Sequence, residues 1–266
     1  MSLLVKGTRS GREIVTVDPA AAGLRYVGFA ARRLAEGEAL ELPATPGREA
    51  CLVVLSGVVS VRTGSAEFRS IGGRKNVFDD APPHAVYLPG TAATSVRAHT
   101  ASEVAVGTAP GTGKLPARHV DPGAMRRSVR GKELNTRYVT DILPETEPAE
   151  SLLVVEVRTP TGHSSSYPPH KHDRQEPPVE TLLEETYYHR LDPPQGFAFQ
   201  RVYTDDRTID EAICVEDGDV VLVPRGYHPV GAPHGYRLYY LNVMAGPKRR
   251  WIFHDDPAHA WIKQQT

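Results

Sequence analysis

Cysteine is nearly absent. The 266 residues contain two, Cys51 and Cys214, too few for the disulfide framework of a small secreted domain. Both lie in apolar, strand-like runs, so they are expected to be small buried side chains rather than a disulfide or a catalytic thiol. Net charge is nearly absent too. The 31 Lys plus Arg balance 32 Asp plus Glu, which excludes the broad basic surface of a general nucleic-acid binder. No run approaches the ~20 apolar residues of a membrane-spanning helix, and the apolar stretch in MSLLVKGTRSG is too short for a secretory signal. These absences lead us to expect a soluble, cytoplasmic protein with no nucleic-acid and no membrane partner. Amphipathic helical periodicity is also scarce, with short candidates only near Pro122 to Val129 and in the C-terminal tail.

What the chain has instead is strand and turn. Gly and Pro number 23 each, which suits many short strands joined by tight connections. Cys51 to Val61 is apolar and β-branched with a Gly turn inside it, and Ala85 to Leu88 and Thr94 to Arg97 read as further strands. Pro110 to Pro122 reads as a linker or long loop. Beyond it the pattern resumes with Tyr138 to Leu143, Leu152 to Arg158, Glu185 to Arg190, Phe197 to Tyr203, Asp219 to Val223 and Tyr236 to Val243. The two halves have similar strand spacing, so the expectation is an all-β chain with a duplicated β module, divided into residues 1–120 and 121–266.

The chemistry concentrates in the second half. In YPPHKHD, His170 and His172 are one residue apart, and on a strand both imidazoles point to the same face. Two imidazoles on one rigid face make half of a metal site. Downstream, Glu184 and Glu185 open the strand ETYYHR, and GDVVLVPRGYHPV runs a strand into a Pro–Gly turn that presents His228. Three His and one carboxylate on three strands can hold one divalent ion inside a barrel with positions left open; Zn, Mn, Fe, Co and Ni all suit such a donor set.

An HxH, a Glu opening a strand, then G(x)5PxG and a His resembles the cupin double motif. Here His228 is one residue closer to Gly226 than usual, and the gap from His172 to the Glu is longer. Those departures suit a narrower family. GGRKNVFDDAPPHAVYLPG (Gly72 to Gly90), SSSYPPHKHD (Ser164 to Asp173), LEETYYHRL (Leu183 to Leu191), GFAFQRVYTDDRTID (Gly196 to Asp210), DVVLVPRGYHPV (Asp219 to Val230) and YYLNVMAGPKRRW (Tyr239 to Trp251) resemble the 5-deoxy-glucuronate isomerases of myo-inositol catabolism, relatives of the 4-deoxy-hexosulose-uronate ketol-isomerases. The resemblance spans nearly the whole chain. It implies a bicupin, two β-barrels in one chain, with metal in the second only. In the first, the Glu position falls on Ala50 with Glu49 beside it, and the HxH positions fall in Ala44 to Pro46, where no His occurs.

Aligning ETYYHRL with the family pattern favours Glu185 over Glu184 as the ligand beside His170, His172 and His228. A one-residue shift reverses the face, so Glu185, Tyr187 and His189 then share one face. The implied reaction is an aldose–ketose isomerisation of a small deoxy-uronate sugar, for which Glu184, Tyr187 and His189 are the candidate bases. Arg174, Arg201 and Arg225 are the candidates for the substrate carboxylate, which a guanidinium binds bidentately. Homo-oligomer formation through edge strands is a further expectation. The alternatives are a ketol-isomerase of another deoxy- or keto-uronate, a metal-dependent cupin dioxygenase and a non-catalytic sugar-binding bicupin.

Overall fold

The protein, described as a computed structural model over residues 2–265, repeats one strand order twice. A six-stranded sheet carries Arg118–Val120, His84–Leu88, Arg48–Ser56, Ser102–Pro110, Gly28–Leu34 and Glu13–Val17 side by side. A seven-stranded sheet carries Leu4–Val5, Val220–Val223, Glu184–Asp192, Arg237–Ala245, Leu153–Thr159, Arg137–Leu143 and Arg126–Arg130. From His84–Leu88 in the first and Val220–Val223 in the second, the next four strands correspond one to one. Each sheet has a four-stranded companion, again in the same order: Ala39–Leu42, Thr94–Ala98, Val58–Thr63, Ala66–Gly72 against Ser164–Ser165, Val230–Gly231, Phe197–Tyr203, Asp210–Glu216. The fold is all-β, two cupin barrels. Among the described residues the one α-helix is Ile262–Gln265.

The two large sheets share a core, and strand alternation divides the labour of their faces. Cys51, Val53 and Leu55 face the shared core, which also takes Phe29, Tyr87, Tyr188, Tyr239 and Val243 from both halves. Ala50, Leu52 and Val54, one residue out of phase, fill the first barrel with Val86, Val104 and Val106. The sheets approach closely at Gly107, where a Cβ would lie 2.7 Å from the Val243 side chain, so a larger residue would force them apart.

Polar ties cross the same interface. Arg74 pairs with Glu156 at 2.9 Å, both buried, and the Tyr239 hydroxyl donates to the same carboxylate. Two further carboxylates cross in opposite directions. Glu49, at the start of Arg48–Ser56, accepts from the backbone N–H groups of Glu150, Ser151 and Leu152. Glu184, at the start of Glu184–Asp192, accepts from those of Arg25, Tyr26 and Val27. Each clamps the chain just before a strand of the other half, satisfying amides that burial would otherwise leave unpaired.

Several expectations need correction. The division at residue 120 is not followed by Leu4–Val5, which pair with Val220–Val223 in the second sheet. The Pro110 to Pro122 linker contains a strand, Arg118–Val120, laid on Tyr87 to Ala85. The Pro122 to Val129 segment forms a single 3-10 turn, Pro122–Ala124, capped by Asp121, and then the strand Arg126–Arg130; a segment this short makes too few i→i−4 bonds to offset helix nucleation. Cys51 is buried, and burial pushes its thiol up to about 12. Cys214 is exposed, because it lies on the outward phase of Asp210–Glu216 between buried Ile213 and Val215.

Candidate functional site

The interior of the second barrel is built by three elements. The segment His170–Lys171 pairs with His254–Asp255, holding the HxH against the C-terminal segment. Glu184–Asp192 supplies Glu185, Tyr187 and His189 from its inner face, and the turn after Val220–Val223 delivers His228. Gly226, at φ +95°, takes a left-handed conformation in that turn, and a Cβ there would lie 2.5 Å from the Tyr203 carbonyl. A glycine is the residue that meets both demands.

His170, His172 and His228 offer nitrogens that all lie within 4.8 Å of one another. Glu185 Oε2 is 3.1 Å from His172 Nε2 and 3.3 Å from His228 Nε2. The other ring nitrogens are anchored. His172 Nδ1 donates to the Leu183 carbonyl at 2.9 Å and His228 Nδ1 to the Gly226 carbonyl at 2.8 Å. A carbonyl only accepts, so Nδ1 carries a proton in both rings; the His228 Nε2 lone pair faces the centre, and His172 Nε2 faces it through the proton it shares with Glu185, which a cation would displace. Glu185 Oε1 and His228 Nε2 are buried without a hydrogen-bond partner. Buried orphans of this kind are costly unless something else satisfies them, and a divalent cation fits this donor set.

The electrostatics are consistent with cation binding. Burial, then the neighbouring His228 and His172, holds the His170 pKa well below its ordinary value. Burial, then His172, depresses His228 to about 3, so both rings are neutral and able to ligate near neutral pH. Burial also acts most strongly on His172, but the hydrogen bond and charge of Glu185 outweigh it and raise its pKa. Glu185 itself is raised by burial, with His172 opposing. The pair is poised to exchange a shared proton for a cation.

His170 forms part of the floor of an open cleft. Its walls include Arg137 and Val139 from one strand, Tyr240 and Asn242 from another, and Trp251, Phe253 and Asp255 from the C-terminal segment. Tyr187 lines the cleft as well, its hydroxyl 2.9 Å from Ser166 Oγ. Burial, then the charge of Glu185, raises the Tyr187 pKa well above its ordinary value, so its hydroxyl keeps its proton and acts as a donor rather than as a ground-state base.

The structure separates the remaining sequence candidates from this cleft. Glu184 faces the other barrel and its carboxylate is consumed by three backbone amides, so it is not a base here. His189 lies beneath Tyr187, ring centroids 5.9 Å apart, and its Nε2 is bonded to Gln200 Oε1 at 2.9 Å; the tyrosine ring stands between it and the cleft. Arg201 pairs with Asp210, Arg174 with Asp205, and Arg225 donates to Thr208, all on the exposed exterior. Sequence reasoning missed Arg137, Tyr240, Asn242 and Asp255. It also missed Lys171, which is buried and bonded to Asp173 at 2.7 Å and Glu180 at 3.1 Å. Alternation does signal Lys171: a residue between two inward His must point the other way.

Fold and site together define a bicupin with a metal-competent second barrel and an aliphatic first one. The chain belongs to the KduI/IolB family, which matches residues 3–262. It is 51% identical over 267 residues to a 5-deoxy-glucuronate isomerase of Geobacillus kaustophilus, covering 99% of this chain and 96% of the relative. It is 50% identical over 244 residues to a 5-deoxy-glucuronate isomerase of Listeria monocytogenes, covering 91% and 89%. The crystal structure of an IolB-like protein from Salmonella typhimurium superposes with a TM-score of 0.96 at 49% identity, covering 99% of this chain and all of that one. Oxalate decarboxylase of Bacillus subtilis superposes at 0.65 with 13% identity, covering 96% of this chain and 80% of that one, a likeness of fold alone.

Proposed function

We propose that the protein is a metal-dependent aldose–ketose isomerase that converts 5-deoxy-D-glucuronate to 2-deoxy-5-keto-D-gluconate in cytoplasmic myo-inositol catabolism. The observation that carries this reading is the three-His, one-Glu centre, of which His170 reaches the cleft, in a chain half identical along its length to relatives named for that reaction.

His170, His172, His228 and Glu185 would hold the ion, whose Lewis acidity would act on the aldehyde end of the sugar. The reaction moves one proton from C2 to C1 and one from the C2 hydroxyl to the C1 oxygen, so no oxidant or reductant enters. Tyr187, protonated at its hydroxyl, donates a hydrogen bond to a sugar oxygen as charge develops there. With Glu184 and His189 out of reach, the carboxylate available to move the carbon-bound proton is Asp255. It lines the cleft and stands opposite His170 across a strand pair, which puts both side chains on one face. Trp251 and Phe253 supply an aromatic wall on one side of the cleft.

The test is proton NMR of the purified protein with 5-deoxy-D-glucuronate in D₂O, with and without a chelator. The reading predicts loss of the aldehyde resonances, prevented by the chelator and restored by added divalent metal. An unchanged substrate, with protein that holds metal, would overturn it. Oxygen consumption coupled to turnover would instead favour oxygenase chemistry at the same donor set.

A further inference from the structure

Three cations border the cleft, and they differ in what they are bonded to. Lys263 is paired with Asp255. Arg130 lies 3.6 Å from Asp141 and over the Trp251 ring. Arg137, partly buried, has no carboxylate partner among the described residues. Its hydrogen bonds both leave from Nη1, to the Asn135 backbone oxygen at 3.0 Å and to Asn135 Oδ1 at 3.1 Å. Asn135 is itself held, its Nδ2 donating to the Tyr167 carbonyl at 3.0 Å, at the entrance to the HxH segment. One edge of the guanidinium is therefore fixed, and among the described residues no hydrogen bond ties down Nε or Nη2.

A contrast within the chain shows that this is not how the protein satisfies a partly buried arginine without an acid. Among the described residues Arg249 also lacks a carboxylate partner, yet Nε, Nη1 and Nη2 all donate to backbone carbonyls, among them Leu152, Glu147 and Pro144. Space is kept for Arg137 as well. A Cβ on Gly131 would lie 2.7 Å from Arg137 Nη1 and 2.1 Å from the Asn135 oxygen, at a glycine with φ +74°. Arg137 shares the inner face of its strand with Val139, which also lines the cleft.

Resting on the isomerase reading, we infer that Arg137 is the specificity residue that binds the substrate carboxylate and sets a uronate apart from a neutral sugar. With the aldehyde end at the His/Glu floor, a carboxylate at the far end of a six-carbon chain meets a guanidinium already oriented by Asn135. A planar fork with a free edge suits bidentate carboxylate recognition, and pre-orientation lowers the cost of ordering it on binding.

The experiment compares wild type, Arg137→Met and Arg137→Lys by calorimetry with D-glucuronate and its neutral amide, D-glucuronamide, and by kinetics with 5-deoxy-D-glucuronate. We expect wild type to bind glucuronate at least about tenfold more tightly than the amide, a preference that Arg137→Met erases and Arg137→Lys partly restores. In kinetics the Met variant should raise KM about 10- to 100-fold with a much smaller change in kcat. Metal content should stay at the wild-type level. No preference for glucuronate in wild type, or an equal loss of acid and amide binding in the variants, overturns the assignment. If wild type binds the acid through Arg137 but does not isomerise the uronate, the isomerase reading fails and the carboxylate site stands. Because Arg137→Lys keeps the charge and much of the bulk, it reads the site even where the Met variant folds poorly.

Discussion

Where the strand Arg48–Ser56 turns Ala50, Leu52 and Val54 into the first barrel, the corresponding strand Glu184–Asp192 turns Glu185, Tyr187 and His189 into the second. The next strands carry the same substitution across the ladder: Val106 opposes Leu52 and Val104 opposes Val54, whereas Asn242 opposes Tyr187 and Tyr240 opposes His189. The outward-facing halves of these strands differ far less. Both are packed into the shared core, and both begin with a glutamate that clamps backbone amides across the interface, Glu49 in one and Glu184 in the other. The comparison teaches that the outer face and the clamps hold the frame while the inner face is free to diverge. One interior became aliphatic packing. The other accepts the cost of buried polar groups and offers a concave site with converging donors.

The comparison can be broken most severely at Lys171, whose counterpart in the first barrel is Thr45 in the Ala44 to Pro46 stretch. Lys171→Met leaves the buried Glu180 carboxylate with only the more distant Arg174, 3.9 Å away, a loss of about 3 kcal/mol or more. Because Lys171 separates His170 and His172, metal affinity should fall with it on the proposed ligand set. Urea unfolding and metal titration read both; a change below about 1 kcal/mol with normal metal binding would contradict this placement. In the first barrel, Leu52→Ala should cost about 2–5 kcal/mol through the cavity it leaves, with metal content and kcat unchanged. Altered metal content there would mean that the two interiors are coupled.

A finer distinction lies in pH dependence. Burial depresses His189 to about 4, with Gln200 opposing. Between its ordinary value near 6.5 and about 4, the unfolded chain therefore binds this proton more readily than the folded one. Stability should fall as pH drops through that window, by up to about 3 kcal/mol from this group. Val54, its counterpart, contributes nothing of the kind. Denaturant midpoints from pH 7 to 4 should show a shallower decline for His189→Gln than for wild type; parallel curves would show that His189 is not the group responsible.

Much of this was legible in the sequence, for reasons that are local. His170 and His172 share a face by strand alternation, Glu185 follows from the phase of its strand, and His228 follows from a Pro–Gly turn. The arginines were not legible. Arg174, Arg201 and Arg225 lie near the motifs in sequence but outside the barrel in space, whereas Arg137 reaches the cleft from a strand 33 residues before His170, a neighbour only once the sheet has closed. The strand Gly28–Leu34 was missed because GFAARRL sets two consecutive arginines in a short run, which masks its period of two. Leu4–Val5 in the second sheet could not be read locally, since its partner strand lies more than 200 residues away.

The most direct test of the account is the metal stoichiometry of wild type and His172→Ala, measured by mass spectrometry of the native proteins after reconstitution and dialysis, alongside turnover. One divalent ion per chain in wild type, lost together with isomerisation in His172→Ala while the fold persists, is the predicted result. A full equivalent of metal or full turnover retained in His172→Ala would contradict it.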